Sequence, residues 1–245
     1  MNILGRFLPD LWYSPADVLL RASEVFIWQR VLLVSPSLDI GCGDGDISKR
    51  TFSFPDQIDV GIDLRPVATS NLYHQMLQAD ATKHPFKNSS FQTVISNSTF
   101  EHIKADTKAV SEVARILKPG GKFYLTVPTP RLRPFLSNQI NARVAHLHYR
   151  SATDWQKLLA KNNLVLKKVE YYFPPASVSA WLLLFKLATF KIYHRELWSY
   201  LKDSPYSRLF PSRFISQVLK IYLSRYIATD FSEDGTWQFI TAVKK

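Results

Sequence analysis

The residues that could do chemistry begin with a short glycine run. Asp39 is followed by Gly41, Cys42, Gly43, Asp44 and Gly45. Glycine carries no Cβ and reaches positive φ cheaply, so such a run lets backbone N–H groups approach a ligand closely. A dinucleotide fingerprint, G-x-G-x-x-G, would need its third glycine at position 46, where Asp46 stands. That ligand is argued against by spacing alone. Further polar residues recur at intervals along the chain: Asp63, Asp80 and Asn97. Cys42 is the single cysteine, so neither a disulfide framework nor cysteine-based zinc spacing is available. Asn97-Ser98 also lacks the clustered carboxylates of a catechol-type metal site. No metal is expected.

These residues need elements to hold them. Ser37 to Ile40 reads as a short apolar strand feeding the glycine run, and Asp46 to Phe52 as the helix after it. Strands at Ile58 to Ile62, Met76 to Ala79 and Phe91 to Ser96 end at Asp63, Asp80 and Asn97. Asp106 is placed to cap a helix carrying Val110, Val113, Ala114 and Leu117 on one face, stopped by Pro119-Gly120-Gly121. Lys122 to Val127 follows as a fifth strand. Glu101 reads as a helix-start residue. Pro128, Pro130 and Pro134 predict a loop running to His146, His148 and Tyr149, which could cover a pocket. Ser151 is a cap for a helix over Ala152 to Lys161. Strands at Leu164 to Phe173 and Thr236 to Val243 complete the pattern. Strands alternating with helices predict an α/β, Rossmann-like, seven-stranded and mostly parallel sheet with helices on both faces. Such folds bind ligands beyond the carboxyl ends of their strands, where Asp39, Asp63, Asp80 and Asn97 all fall.

The string Leu38 to Gly45, LDIGCGDG, closely resembles motif I of the class I S-adenosylmethionine (SAM) dependent methyltransferases. The resemblance implies that the loop wraps the amino acid end of SAM and that an acidic residue near Asp39 faces its ammonium. Asp63, about twenty residues on, can accept both ribose hydroxyls through its two oxygens. Gln78-Ala79-Asp80-Ala81 looks like the family's adenine clamp, with Asp80 accepting from the exocyclic amine and the Ala81 amide facing the ring. Phe91 to Asn97 matches motif IV in position, and Leu117 to Gly121, LKPGG, is the family's usual approach to its fifth strand. The resemblance is specific over residues 36–128 and looser over 148–173 and 236–243. It implies SAM as cofactor, bound by Asp39, Gly41, Cys42, Gly43, Gly45, Asp63, Leu64, Asp80, Ala81 and Asn97. His102, in Phe-Glu-His-Ile, stands where many small-molecule members have a similar Glu-His pair. His102 and His148 are therefore the candidate catalytic groups. Asn97-Ser98-Thr99-Phe100 lacks the prolines of the loop used by enzymes that methylate exocyclic base nitrogens, so base flipping is not expected.

Charge separates the two halves of the chain. The whole carries +11, but residues 1–114 hold 10 Lys and Arg against 13 Asp and Glu, while residues 115–245 hold 21 against 7. The basic half suits either solubility or contact with phosphates. With 46% hydrophobic, 13% aromatic and 21% charged residues, disorder is not expected. Pro9, Asp10 and Asp17 speak against a cleaved signal at the N-terminus, and no apolar run is long enough to span a bilayer. A cytoplasmic protein, able to sit peripherally on a membrane, is expected. Domain organisation reads as an N-terminal helical segment (1–35), a SAM-binding domain (36–173 and 235–245) and a helical insertion (174–234). The insertion holds two helical stretches, Val178 to Leu201 and Ser212 to Ile227, mixing aromatic and aliphatic bulk with Lys and Arg. It could be a lid over the site, a membrane-interface element or a dimerisation element, and as a lid it should be removable, over 178–227, without loss of the fold. An apolar small-molecule acceptor, quinone-like, polyketide-like or lipid-linked, fits best. The alternatives are an RNA-directed methyltransferase using the basic half, and a catalytically silent binding protein of the same fold.

Overall fold

A computed structural model of the chain describes residues 2–66, 69–192, 194–197, 199–200 and 212–245. Two helices, α1 (Leu8–Leu11) and α2 (Pro15–Trp28), precede β1 (Ser37–Ile40), α3 (Asp46–Thr51), β2 (Ile58–Asp63), β3 (Tyr73–Gln78) and β4 (Phe91–Asn97). Then come α4 (Asp106–Ile116), β5 (Leu117–Pro128), α5 (Asn138–Val144), α6 (Ala152–Lys161) and β6 (Leu164–Tyr172). The insertion contributes α7 (Pro175–Ala188), a two-residue pair β7 (Lys191–Ile192) and β8 (Arg195–Glu196), and α8 (Ser212–Leu223), before β9 (Trp237–Lys244) closes the sheet.

The sheet has seven strands, as expected from the alternating pattern, and their order is β3-β2-β1-β4-β5-β9-β6. β9 runs antiparallel between β5 and β6, and β1 pairs in parallel with both β2 and β4. The order reverses between β1 and β4, which is where a doubly wound sheet opens a crevice for ligand. Side chains alternate across the strands and build two cores. Val94, Phe123, Leu125 and Ile240 meet α4 and α6 on one face. Ile95, Tyr124 and Phe239 meet α2 and α7 on the other.

Differences from the sequence reading have local causes. β3 starts three residues earlier than its apolar pattern suggests, because it is an edge strand: Tyr73 is buried while His74 and Gln75 face solvent. Asp106 does not cap α4. It is the first helical residue, and its carboxylate instead receives Arg150 through Nε at 2.6 Å and Nη2 at 2.8 Å. The Pro119-Gly120-Gly121 stretch is not a helix stop but an irregularity inside β5, since the helix has already ended at Ile116. The proline-rich loop folds into a 3₁₀ turn over Pro130–Phe135 followed by α5. Ser151 caps α6 as expected, in a reciprocal box with Asp154.

The first insertion helix is shorter than its composition suggests. α7 ends at Ala188, where the Thr189 hydroxyl donates back to the Phe185 carbonyl at 2.8 Å, and the expected C-terminal end at Leu201 lies outside the described residues. Val178, Ala180, Trp181 and Leu184 of α7 are buried in the core shared with α2. The first half of the insertion therefore completes a hydrophobic layer, and excising residues 178–227 would strip α2 of its cover. This corrects the expectation that the segment can be deleted without loss of the fold.

Candidate active site

A cleft of about 1050 Å³ opens at the carboxyl ends of β1, β2 and β4. Gly41, Gly43 and Asp44 line it from the glycine loop, Asp63 and Leu64 from the end of β2, Asp80 and Ala81 from the segment after β3, and Asn97 from the end of β4. Cys42 lines it too, whereas Asp39 and Gly45 do not. Tertiary structure thus brings together eight of the ten residues that the sequence reading assigns to the cofactor.

The loop's geometry explains its glycines. Gly41, Gly43 and Gly45 all have positive φ, at 86°, 57° and 81°. A Cβ on Gly41 would stand 2.1 Å from the Thr99 hydroxyl oxygen, so the β4 loop packs directly on bare backbone. A Cβ on Gly43 would meet only the Arg65 guanidinium at 3.8 Å and otherwise project into open space. Gly43 leaves a cradle that any side chain would fill, a fit for a ligand resting on the loop. Its N–H donates to Asp63 Oδ2 at 3.0 Å, and the Arg65 N–H donates to Asp63 Oδ1 at 2.9 Å. Arg65 Nε also lies 3.4 Å from Oδ1, so Oδ2 retains one lone pair for a further donor and Oδ1 regains one when the exposed Arg65 side chain moves aside. Asp80 is held below the usual carboxylate range, chiefly by the Thr82 N–H donating to it at 2.7 Å.

Asp39 lies underneath rather than in the cleft. It is 1% exposed, and Oδ2 accepts from the Tyr73 hydroxyl at 2.6 Å and the Ser48 hydroxyl at 3.5 Å. Burial pushes its carboxyl up to about 7. A direct contact with a cofactor ammonium is therefore replaced by support of the loop from below. Because the folded-state carboxyl holds its proton to a higher pH than the unfolded chain, its stability contribution is full below about pH 4 and is lost as pH rises through about 7. Relative to the wild type, Asp39→Asn should gain stability between pH 5 and 7, by up to about 1.4 kcal/mol per pH unit. Urea denaturation of both proteins across that range checks this, and parallel profiles would contradict it.

The β4 end is stapled by residues that the sequence reading did not single out. Arg21 Nη1 donates to both oxygens of Glu24, at 3.0 and 2.9 Å, and Arg21 reaches the cleft wall. Glu24, fully buried, accepts from Asn97 Nδ2 and from the Ser98 hydroxyl, both at 2.8 Å. Asn97 Oδ1 accepts from Trp28 Nε1 at 3.0 Å and from the Thr126 hydroxyl at 2.6 Å. Asn97 thus touches the cleft while its side chain is committed to protein partners. A charged pair three residues apart inside the apolar run of α2 was the available signal.

His102 lines the cleft and His148 does not. His148 Nε2 sits 3.0 Å from the Ile103 carbonyl and 3.8 Å from Asp106, a strut between loops, so its candidate catalytic role is not carried forward. His146 takes its place beside His102. α5 ends at Ala145 with φ 55°, and the Leu147 N–H donates to the Glu101 carbonyl at 2.8 Å, which lays residue 146 against 102 with ring centroids 5.1 Å apart. Burial pushes His146 down to about 3 and also lowers His102. Glu101 sits in the first turn of a 3₁₀ helix over Phe100–His102, as expected of a helix-start residue, but is only 2% exposed, and burial pushes it up to about 8. Among the described residues, no part of the insertion lines this cleft.

Comparison with known proteins supplies the family. Residues 38–125 match the model of a methyltransferase domain, the stretch that carries the glycine loop, Asp63, Asp80 and Asn97. This region belongs to the class I SAM-dependent methyltransferases. Over 162 residues the chain is 29% identical to the uncharacterised methyltransferase YcgJ of Bacillus subtilis, covering 59% of this chain and 63% of that one. The crystal structure of YcgJ superposes with a TM-score of 0.53 at 18% identity, covering 91% of this chain and 98% of that chain, a likeness of fold. A demethylmenaquinone methyltransferase of Leptospira interrogans is 35% identical over 99 residues, covering 35% of this chain and 40% of that one. The chain spans less than two thirds of the length of the curated relatives it matches first.

Proposed function

We propose that the protein transfers the methyl group of SAM to a small, apolar, quinone-like or lipid-like acceptor that it meets at a membrane surface. SAM supplies an already activated methyl group, so the protein's task is alignment. The glycine loop offers backbone without side chains, Asp63 offers a free lone pair on Oδ2, and Asp80 with Ala81 lines the cleft after β3. Arg21, Ser98, Thr99 and His102 line the cleft from α2 and from the segment after β4, where the acceptor would lie. The named acceptor of the Leptospira relative is a quinone, which supports the chemical class.

One observation carries the membrane part of this reading. Phe214, Val218 and Ile221 follow a helical repeat on α8 and are 67%, 51% and 64% exposed, and Leu183, Leu187 and Phe190 are exposed on or just after α7. Arg213 and Arg225 are exposed beside the α8 row. An apolar row flanked by arginines suits the headgroup region of an anionic bilayer. No described helix is long and apolar enough to cross a membrane.

The test combines two readouts. Incubation with methyl-labelled SAM and a lipid extract should place the label in the organic phase; label recovered in RNA, or none transferred, would overturn the acceptor class. Flotation with anionic vesicles should retain the wild type, and Phe214→Asp with Ile221→Asp should lose that retention while binding S-adenosylhomocysteine as before. Wild-type protein that stays with the soluble fraction would remove the membrane contact.

A further inference from the structure

Beside the cleft, a buried carboxyl group and two imidazoles converge with no hydrogen bond among them. One ligand atom each from Glu101, His102 and His146 lie within 4.8 Å of one another. The tautomers follow from the surroundings. His102 Nδ1 lies 3.1 Å from the Ala145 carbonyl, which can only accept, so Nδ1 carries the proton and Nε2 keeps its lone pair. The Tyr149 hydroxyl spends its proton on Asn141 Oδ1, so His146 Nδ1, 3.2 Å away, donates to the Tyr149 oxygen and Nε2 is again the free nitrogen. Glu101 Oε2 is buried and has no hydrogen-bond partner. Its other oxygen is 3.9 Å from His102 Nε2, too far for a hydrogen bond. The nearby guanidinium of Arg21, whose charge favours an ionised Glu101, sends its Nη1 to Glu24. A buried carboxyl oxygen without a partner is kept neutral by its proton in the free protein, and a cation bound beside it would displace that proton.

We propose that Glu101, His102 and His146 form a binding site for a divalent transition ion of the zinc class on the wall of the cleft. Two imidazoles and a carboxylate suit such an ion, which bonds these donors at about 2.0–2.2 Å and keeps further positions open for a ligand. Tetrahedral bonds of that length place donors about 3.4 Å apart, so the 3.9 Å now separating His102 Nε2 from Glu101 closes by a small side-chain movement. The outer contacts are those a metal-binding histidine uses, each ring donating its second N–H to a fixed acceptor that orients it. Because His102 lines the cleft, the open positions face the acceptor end, where an ion would hold an acceptor oxygen. That consequence rests on the proposed methyl transfer, whereas the ion site does not.

The experiment is titration of chelator-stripped protein with Co²⁺, followed by its visible absorption, and displacement by Zn²⁺. One equivalent is expected to bind, with the intensity of a low-coordinate cobalt site. His146→Ala and Glu101→Gln should weaken binding at least 100-fold, Tyr149→Phe by about 10–100-fold through loss of the outer contact, and exposed His74→Ala not at all. His102 is 42% exposed, so His102→Ala is a variant that folds and decides the matter if the buried ones do not. Absence of uptake by the wild type, or undiminished uptake by His102→Ala, would overturn the site. Retained S-adenosylhomocysteine affinity in His102→Ala separates failure of the ion site from failure of the cofactor reading.

Discussion

Asp63→Ala is expected to weaken binding of S-adenosylhomocysteine by two to three orders of magnitude while the protein stays folded. The carboxylate stands at the tip of β2 with 12% of its side chain exposed, and both oxygens are already oriented by backbone N–H groups of Gly43 and Arg65. Oδ2 keeps one free acceptor position, and Oδ1 gains one when the exposed Arg65 side chain, whose Nε lies 3.4 Å away, swings out. Hydrogen bonds to a charged partner contribute about 1.5–3 kcal/mol each, so losing a bidentate grip on two ribose hydroxyls amounts to roughly a few hundred-fold in affinity. The fold loses less, because the freed N–H groups lie beside an open cleft where water can replace the carboxylate. Asp63→Asn keeps one accepting oxygen and should fall between the two. Calorimetric titration with S-adenosylhomocysteine, alongside a thermal melt, measures both; unchanged affinity in Asp63→Ala would refute the ribose contact.

The second large effect concerns stability and lies outside the recognised motifs. Glu24 joins α2 to the tip of β4, and its carboxylate is the shared acceptor for Arg21, Asn97 and Ser98. Glu24→Ala strands a guanidinium and two polar side chains in a poorly hydrated place, and breaking such a network typically costs about 3–5 kcal/mol. For a chain of this size that is a fall in melting temperature of roughly 10 °C. Because Arg21, Asn97 and Ser98 all line the cleft, cofactor affinity should fall with it. A variant that melts within about 2 °C of the wild type would mean that water substitutes for the carboxylate and that the staple is decorative.

Both effects depend on the same device, a sheet whose strand tips deliver short polar side chains to one crevice. The tips are held differently on its two sides. On the β2 side, Asp63 is oriented by the backbone of the glycine loop. On the β4 side, Asn97 is oriented by side chains from a helix that precedes the sheet in sequence. Variants in the first group should therefore alter ligand binding with modest loss of stability, and variants in the second should alter both together.

Local residue patterns suffice for the sheet, the glycine loop and the carboxylates at the tips of β2 and β3. These are local: apolar runs set the strands, glycines set the turn, and a polar residue where a strand stops is legible without knowing its neighbours. Tertiary structure alone decided what Asp39, Asp106, Glu101 and His146 do. Asp39 drops out of the cleft because Tyr73, 34 positions away, closes over it; Asp106 leaves its cap for Arg150; and His146 joins Glu101 and His102 across more than 40 residues. The insertion was ambiguous for the same reason, since apolar helices look alike whether they cover a ligand, a bilayer or α2. Hydrogen-bond partners and burial are properties of pairs brought together by the fold, and side chains far apart in the chain leave no periodic trace of the meeting.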